Sequence, residues 1–508
     1  MWRNFFERAN PCYVVVAISF LFSLWCAKNF FINPDGILYI DIAKELHLNM
    51  MQVFHPKELP LPFYSLFIDL AYRFMPFSWV NSALFVNSLF FALLIVGFIQ
   101  IIKALGGNKN LCWLAAFIIL LHPELNNYRS YIIRDVGFWA LLYWNIFALI
   151  KFHQTNKISY VLLWYAVALS AALLRVEGIV LAILGPFILL CLPHLSLKQR
   201  LKRAFFFYGF ELIIGFGALI ISLVSKNSIG ILVKLSDLFL HWSQFFLNDF
   251  ITVWQNNITQ LSSILPVFFH RDYVGIFYIG GLLSYFFTRI FFMLAPPHAL
   301  LFIYGLRTRC FPEGFTSSWV IISYIGAVTL LIPLLFLIKT GFVSGRYIFP
   351  VCLIALLVTP FALNYLYQKH LVKFMHKYPR SGFLLVILVI IALFLRGLVN
   401  FGYSHAYVKD AGQWIDTHTP RTATFYTNSV QLSFYANRPG IAWDEVATAQ
   451  PAVEVLANLR WQQYDYIGLA LRGRNQPLHD KVLASLPMKP IAKFSNKRGD
   501  TVYLFKNR

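Results

Sequence analysis

Along most of this chain apolar residues do not alternate with polar ones. They run in long blocks separated by short polar connections. Blocks of roughly 17–25 residues have the length of a bilayer-crossing helix. Read this way, the pattern predicts spans near 11–32, 79–102, 111–122, 136–150, 159–174, 178–193, 204–224, 273–304, 317–338, 347–366 and 382–399. The eighth exceeds one crossing and contains Pro296-Pro297, so a kinked span with a re-entrant or interfacial piece is predicted there. The connection 33–78 departs from the pattern. Ile37, Leu38, Ile40, Ile42, Ala43 and Leu46 recur at helical spacing and predict a helix lying on the membrane surface, and Pro60–Tyr72 predicts a second.

From about Ser404 the apolar runs shorten and charges return. The expected order is helix Ala406–Thr417, strand Ala423–Tyr426, helix Val430–Tyr435, strand Tyr464–Leu471 and helix Leu478–Leu486. A hairpin of Ile491–Phe494 and Val502–Phe505 follows, turned at residues 496–500. The chain divides into an all-α polytopic membrane domain, 1–403, and a small α/β domain outside the membrane, 404–508.

Composition supports that class. Of 508 residues, 58% are hydrophobic and 13% charged, about half the charge of a soluble domain. The net charge of +21 would point to nucleic acid if it formed a patch on a soluble fold. Instead Lys and Arg sit in connections such as 103–109, 151–157, 198–203, 307–309 and 369–380, as the positive-inside rule requires, so nucleic acid is not an expected partner. Eleven spans, with the N-terminus inside and the C-terminal domain outside, satisfy that rule. The run from Pro11 to Ile32 is longer than a signal-peptide core and reads as a signal anchor. None of the six cysteines lies beyond Cys352, and no Cys/His spacing suggests zinc.

Four polar stretches interrupt the apolar pattern. In Asn33-Pro34-Asp35-Gly36, Asp35 opens the first surface helix, with Tyr39 and Ala43 one turn apart on one face. A helix N-cap and a catalytic carboxylate are both open for it; Asp41 fits the polar face. Arg134-Asp135 precedes the fourth span, as an interfacial anchor or part of a site. Arg175 and Glu177 are squeezed between two apolar runs; two apart on a helix they point different ways, so each is expected to find its partner elsewhere. Arg346-Tyr347 lies at the mouth of the tenth span, where a guanidinium either clamps a phosphate or snorkels to headgroups. Glu211 is an intramembrane carboxylate, open to a functional role or to pairing with a buried arginine. His122, His241 and His270 read as interfacial. No Walker loop, GxSxG or HExxH occurs.

Together these stretches resemble the GT-C class of integral-membrane glycosyltransferases, in particular lipid A aminoarabinose transferase, protein O-mannosyltransferases and Rgt-type lipopolysaccharide core transferases. The resemblance spans most of the chain. It rests on Asp35-Gly36-(x)2-Tyr39-(x)3-Ala43, Arg134-Asp135, Arg175-x-Glu177-Gly178, Gly345-Arg346-Tyr347-(x)2-Pro350, and on Ala411–Ile415 through Phe434–Arg438. It implies a sugar donor on polyprenyl phosphate and a glycan, lipid or protein acceptor on the outer face of a bacterial inner membrane. Asp35 would be the base, with Asp135 second. Arg346, with Arg175, Arg134 and Tyr347, would hold the donor phosphate, supported by Tyr39 and Glu177. Relatives often carry an acidic pair where this chain has Asp35-Gly36, which leaves a divalent metal open. An O-antigen polymerase or ligase, and a flippase of lipid-linked sugars, are the alternative readings.

Overall fold

The computed structural model describes residues 8–28, 30–50, 62–192, 195–224, 244, 248–264, 271–378, 380–381, 384, 388–389, 391–392, 395–396, 404–438, 460–473, 480 and 483–507. They divide into two compact units. The first comprises 1–25, 42–129 and 133–398; the second comprises 26–41, 130–132 and 399–508. The labelled helices are α1 (Pro11–Lys28), α2 (Pro34–Leu48), α3 (Phe63–Phe74), α4 (Trp79–Ala104), α5 (Lys109–Leu120), α6 (Asp135–Thr155), α7 (Ile158–Leu174), α8 (Glu177–Leu184), α9 (Arg271–Met293), α10 (Pro296–Thr308), α11 (Glu313–Thr340), α12 (Gly345–Leu356), α13 (Thr359–Leu366), α14 (Ala406–His418) and α15 (Val430–Ala436).

The first unit is helical, and its boundaries follow from short-range chemistry. Ser78 caps α4 by accepting the Asn81 amide at 3.3 Å, and Asn108 caps α5 through Leu111 at 2.9 Å. Asn156 and Gly341 take left-handed backbone to end α6 and α11. Ala295, at φ 62, and Pro296 at the first turn separate α9 from α10, so the expected kink in the eighth span is a break between two helices. Pro360 in the first turn of α13 marks the break after α12, where the paired segments bend by 45°. The centre of the unit is α4 packed on α6 and α6 on α7. The Trp144 indole N–H donates to the Leu93 carbonyl at 3.1 Å and the Tyr143 hydroxyl to Leu353 at 2.8 Å. Trp139, Tyr143 and Phe98 are fully buried there, where close van der Waals packing, rather than transfer out of water, holds helices together in a bilayer.

Among the described residues, five helices are long and apolar enough to cross a membrane: α1, α4, α6, Tyr273–Met293 and α11. Counting the bent pair as one span makes six. Lys109–Leu120, Ile158–Leu174 and Glu177–Leu190 are apolar but shorter. The expected span 204–224 falls in helix Leu197–Val224; the expected span 382–399 lies largely outside the described residues, as do His241, His270, the Glu211 side chain and residues 478–479 and 481–482 of the expected helix 478–486. The protein has the length and apolarity pattern of an integral membrane protein.

The second unit holds a four-stranded sheet of β1 (Phe425–Thr427), β2 (Tyr466–Leu471), β3 (Ala492–Ser495) and β4 (Thr501–Lys506), in the order β1-β2-β4-β3. β1 runs parallel to β2; β4 is antiparallel to both neighbours. Alternate residues of β4 serve two cores. Val502 and Leu504 pack with Val408, Ile415 and Leu432 from α14 and α15. Tyr503 and Phe505 pack on the other face with Ile467, Leu469 and Trp461. β2 begins at Tyr466 rather than Tyr464, and just before it the Asp465 carboxylate accepts the Thr424 amide and hydroxyl at 2.7 and 2.9 Å. A Cβ on Gly412 would meet the Tyr435 Cβ at 2.5 Å, so glycine is what lets α14 and α15 close on each other. At the β3–β4 turn, burial alone would raise the Asp500 carboxyl. Hydrogen bonds from the Asn496 amide and the Gly473 N–H outweigh it and hold the group below the usual carboxylate range.

Candidate functional site

The candidate residues fall in both units, and each set is described by itself. In the second unit, the segment before α2 is pinned at several points. The Ile32 amide donates to the Tyr435 hydroxyl at 3.0 Å, and Phe31 stacks on His405 and Tyr435. Burial raises the Tyr435 phenol, although the Ile32 bond acts in the opposite sense. Asn33 is bonded to Ile132 in both directions, Nδ2 to its carbonyl at 3.1 Å and its amide to Oδ1 at 2.8 Å.

The Asn33 carbonyl accepts the Ile37 amide at 3.2 Å, the first bond of the helix. That makes Asn33 the cap residue, Pro34 the first helical residue and Asp35 the second. The N-cap reading of Asp35 is therefore corrected: the cap position belongs to Asn33, two residues earlier. Asp35 is half-buried in the first turn, where the exposed amides favour a carboxylate. Tyr39, one turn further, is buried. Gly36 is required, since a Cβ there would come within 2.9 Å of both Asn33 Oδ1 and Ile132 Cβ.

In the first unit, Asp135 opens α6, Arg175 follows α7, Glu177 opens α8 and Arg346-Tyr347 opens α12. The sequence expectation that Arg175 and Glu177 would not pair is overturned. Arg175 is not helical; at φ −147 and ψ 144 it is extended, in a break between α7 and α8. Extended backbone turns its guanidinium back on Glu177, which it grips with two bonds, Nε to Oε2 at 3.0 Å and Nη2 to Oε1. Its Nη1 donates to buried Asp135. One guanidinium thus joins two carboxylates, each bond of the charge-assisted kind. Gly178 makes the break possible, since a Cβ there would lie 2.4 Å from the α7 backbone.

Arg175, Glu177, Arg346 and Tyr347 line an open cleft together with Phe138, Trp139 and Pro333. The Tyr347 ring is approached by both cations, Arg175 at 4.7 Å and Arg346 at 5.4 Å from its centroid. Arg134 Nη1 is buried with no hydrogen-bond partner among the described residues. A buried donor left unpaired costs about 1–3 kcal/mol, so an anionic ligand reaching it recovers that loss. Among the described residues no group of three or more His, Cys, Asp or Glu could hold a metal ion.

Removing one acid from the triad tests its structural share. Asp135→Asn is expected to lower stability by about 1.5–3 kcal/mol, the range for a hydrogen bond to a charged group, with Glu177 still holding Arg175. Thermal unfolding in detergent measures it; an unchanged midpoint would show that the Asp135 bond contributes nothing.

Several features escaped the sequence reading. Asp69 on α3 is fully buried and accepts from Arg73 Nε and His47 Nδ1, both at 2.8 Å, tying the two surface helices together. The Asp69/Arg73 spacing of four was visible, but His47 is distant in sequence. His122 is 1% exposed, accepts the Leu125 amide on Nδ1 and donates from Nε2 to the Leu294 carbonyl. Both ring nitrogens find partners, which is what allows its burial. Arg129 is buried on Ser19, Ser23 and Asn126. Arg289 has a buried Nε with no hydrogen-bond partner among the described residues, a signal that only its place in an apolar helix carried.

No family model and no curated protein matches this chain. Solved structures do. The oligosaccharyltransferase of Archaeoglobus fulgidus tethered to an acceptor peptide is similar with a TM-score of 0.53 and 12% identity, covering 98% of this chain and 74% of that one. The oligosaccharyltransferase AglB from the same organism, in complex with an inhibitory peptide and a dolichol-phosphate, gives a TM-score of 0.50 at 12% identity, over 97% and 74% of the two chains. ArnT from Cupriavidus metallidurans, in the apo state, gives 0.46 at 13% identity, over 98% and 97%. These are GT-C glycosyltransferases. At such identities the likeness is one of fold, and the chain has that fold over nearly its whole length.

Proposed function

We propose that this protein is a membrane glycosyltransferase that moves a sugar from a polyprenyl-phosphate carrier to a glycan, lipid or protein acceptor on the outer face of a bacterial inner membrane, inverting the anomeric centre. The observation that carries the reading is the cationic cleft of the first unit. It combines Arg346 over the Tyr347 ring with an aromatic wall of Phe138 and Trp139, groups that suit a phosphate joined to an apolar carrier.

The roles divide by charge. Arg175 is already balanced by Asp135 and Glu177, so it orients Tyr347 and the cleft wall. Arg346 and Arg134 are assigned the phosphate. As the glycosidic C–O bond breaks, the leaving phosphate gains negative charge, which fixed guanidinium groups stabilise without reorganisation. The acceptor hydroxyl attacks the opposite face of the anomeric carbon and loses its proton to Asp35. One displacement inverts the centre, where two would retain it. Asp135, bound to Arg175, is the second candidate base.

Incubating the purified protein with a synthetic polyprenyl-phosphate sugar and candidate acceptors tests the reading directly. An acceptor heavier by one sugar, with released polyprenyl phosphate, supports it. Movement of the donor between leaflets without product points to a flippase, and head-to-tail growth of a repeat or its transfer en bloc to a lipid core points to a polymerase or ligase.

The proposal also puts residues 404–508 outside the membrane, by the charge asymmetry of the connections. Gln413, exposed on α14, serves as a reporter. Gln413→Cys, in a protein with its native cysteines replaced, is expected to react with an impermeant maleimide in intact spheroplasts. Labelling that requires lysis would invert the topology.

A further inference from the structure

A second polar pocket lies at the other end of the helical unit from the cleft. Gln154, at the end of α6, donates to the Ala104 carbonyl at the end of α4 at 2.8 Å. Asp135 opens the same α6, so the two ends are separated by about 29 Å at 1.5 Å per residue. Helix α11 repeats the measure. Pro312, just before it, lines the second pocket, whereas Thr329 and Pro333 line the cleft, roughly 26–32 Å along the axis. That is about the hydrocarbon thickness of a bilayer, which puts the second pocket at the opposite headgroup level.

Its lining is amphiphilic. Arg309, Asn108, Asn364 and Gln368 supply polar groups, and Phe311 and Phe361 supply an apolar wall. Arg309 holds φ 49, a left-handed position that side-chain-bearing residues seldom take. The three segments that build the pocket, 103–112, 307–314 and 361–373, contain Lys103, Lys109, Arg307, Arg309, Lys369 and Lys373 against a single acidic residue, Glu313. A planar guanidinium with amide donors beside it matches phosphate oxygens; the aromatic wall matches the glycerol and first methylenes of an acyl chain.

We infer that this pocket binds the phosphate-bearing headgroup of an anionic phospholipid from the leaflet opposite the catalytic cleft. A basic pocket between helices at headgroup depth, with local excess of positive charge, attracts such lipids over zwitterionic ones. A free phosphate ion shares the headgroup chemistry but not the apolar contact, so the two sources are separable.

Cys310 lines the pocket and is half-buried, while Cys191 is exposed and outside it, so the native chain carries its own reporter and its own reference. The full-length protein is placed in nanodiscs of phosphatidylcholine, phosphatidylcholine with phosphatidylglycerol, or phosphatidylcholine with millimolar inorganic phosphate. Alkylation by a neutral reagent is followed at each thiol by mass spectrometry. Phosphatidylglycerol is expected to slow Cys310 relative to Cys191 by about fivefold or more, the factor by which a saturating ligand depletes the open form. Arg309→Gln, an exposed change, is expected to remove the protection. Protection by inorganic phosphate alone supports the phosphate chemistry and assigns a soluble source. The same Cys310-to-Cys191 ratio in all three conditions, or protection that survives Arg309→Gln, overturns the inference.

Discussion

Asp35→Asn is expected to lower turnover by about 100-fold or more, the contribution of a positioned general base, while the protein stays folded. The substitution keeps the size of the side chain and removes its basicity. Asp35 stands one residue inside α2, behind a cap supplied by Asn33 and a first turn begun by Pro34. Neither depends on its charge. Among what is lost is the carboxylate's interaction with the helix N-terminus, about 0.3–1 kcal/mol. Steady-state kinetics on purified protein, with a melting curve beside it, separates the two effects. Wild-type turnover in the Asn variant would take the base role from Asp35 and pass it to Asp135.

The second large effect concerns Arg346. Replacing it by lysine keeps the charge but not the fork of donors, and a compact ammonium does not reproduce the stacking of a guanidinium on the Tyr347 ring. If the phosphate gathers charge as the sugar departs, the loss falls on the transition state more than on binding. Arg346→Lys is therefore expected to reduce kcat by about 10- to 1000-fold with a smaller change in donor affinity. Arg175 stays paired with Asp135 and Glu177 in this variant, so the cleft wall remains as a control. A snorkelling anchor predicts silence, because lysine snorkels as well. Equal turnover of the Lys and Arg forms at saturating donor would remove Arg346 from the phosphate site.

Much of the helical unit was legible because lipid-facing helices need a long apolar run and little else. The starts at Trp79, Asp135 and Ile158 fall within a residue of the blocks that predicted them. The hairpin near the C-terminus was legible for a similar local reason: a polar turn, 496–500, between two alternating runs. The count of spans was not legible to the same degree. Apolar runs such as Lys109–Leu120 are too short to be assigned a crossing by length, and length is what the sequence reading measures.

The site shows the limit more sharply. Asp35, Asp135, Arg175, Glu177 and Arg346 stood out as polar residues placed where lipid or its surface should be, and that anomaly is a sequence property. Their partnerships were another matter. Two apart on a helix, Arg175 and Glu177 would part; the chain is extended at Arg175, and the pair closes. Asp69 reaches His47 across 22 residues and His122 reaches Leu294 across 172, distances over which no spacing rule operates.

Which segments are apolar enough to leave water, where the charges gather between them and which polar residues interrupt them are all properties of composition within one or two turns of chain, so they can be read from the sequence. Packing in three dimensions set the rest: one guanidinium bridges Asp135 and Glu177, Tyr347 lies under two arginines, and Arg309 meets Asn108, Asn364 and Gln368 around a pocket at the far end of the same helices. Those outcomes depend on how helix ends meet in space, and burial makes each charge take the partner that packing brings to it.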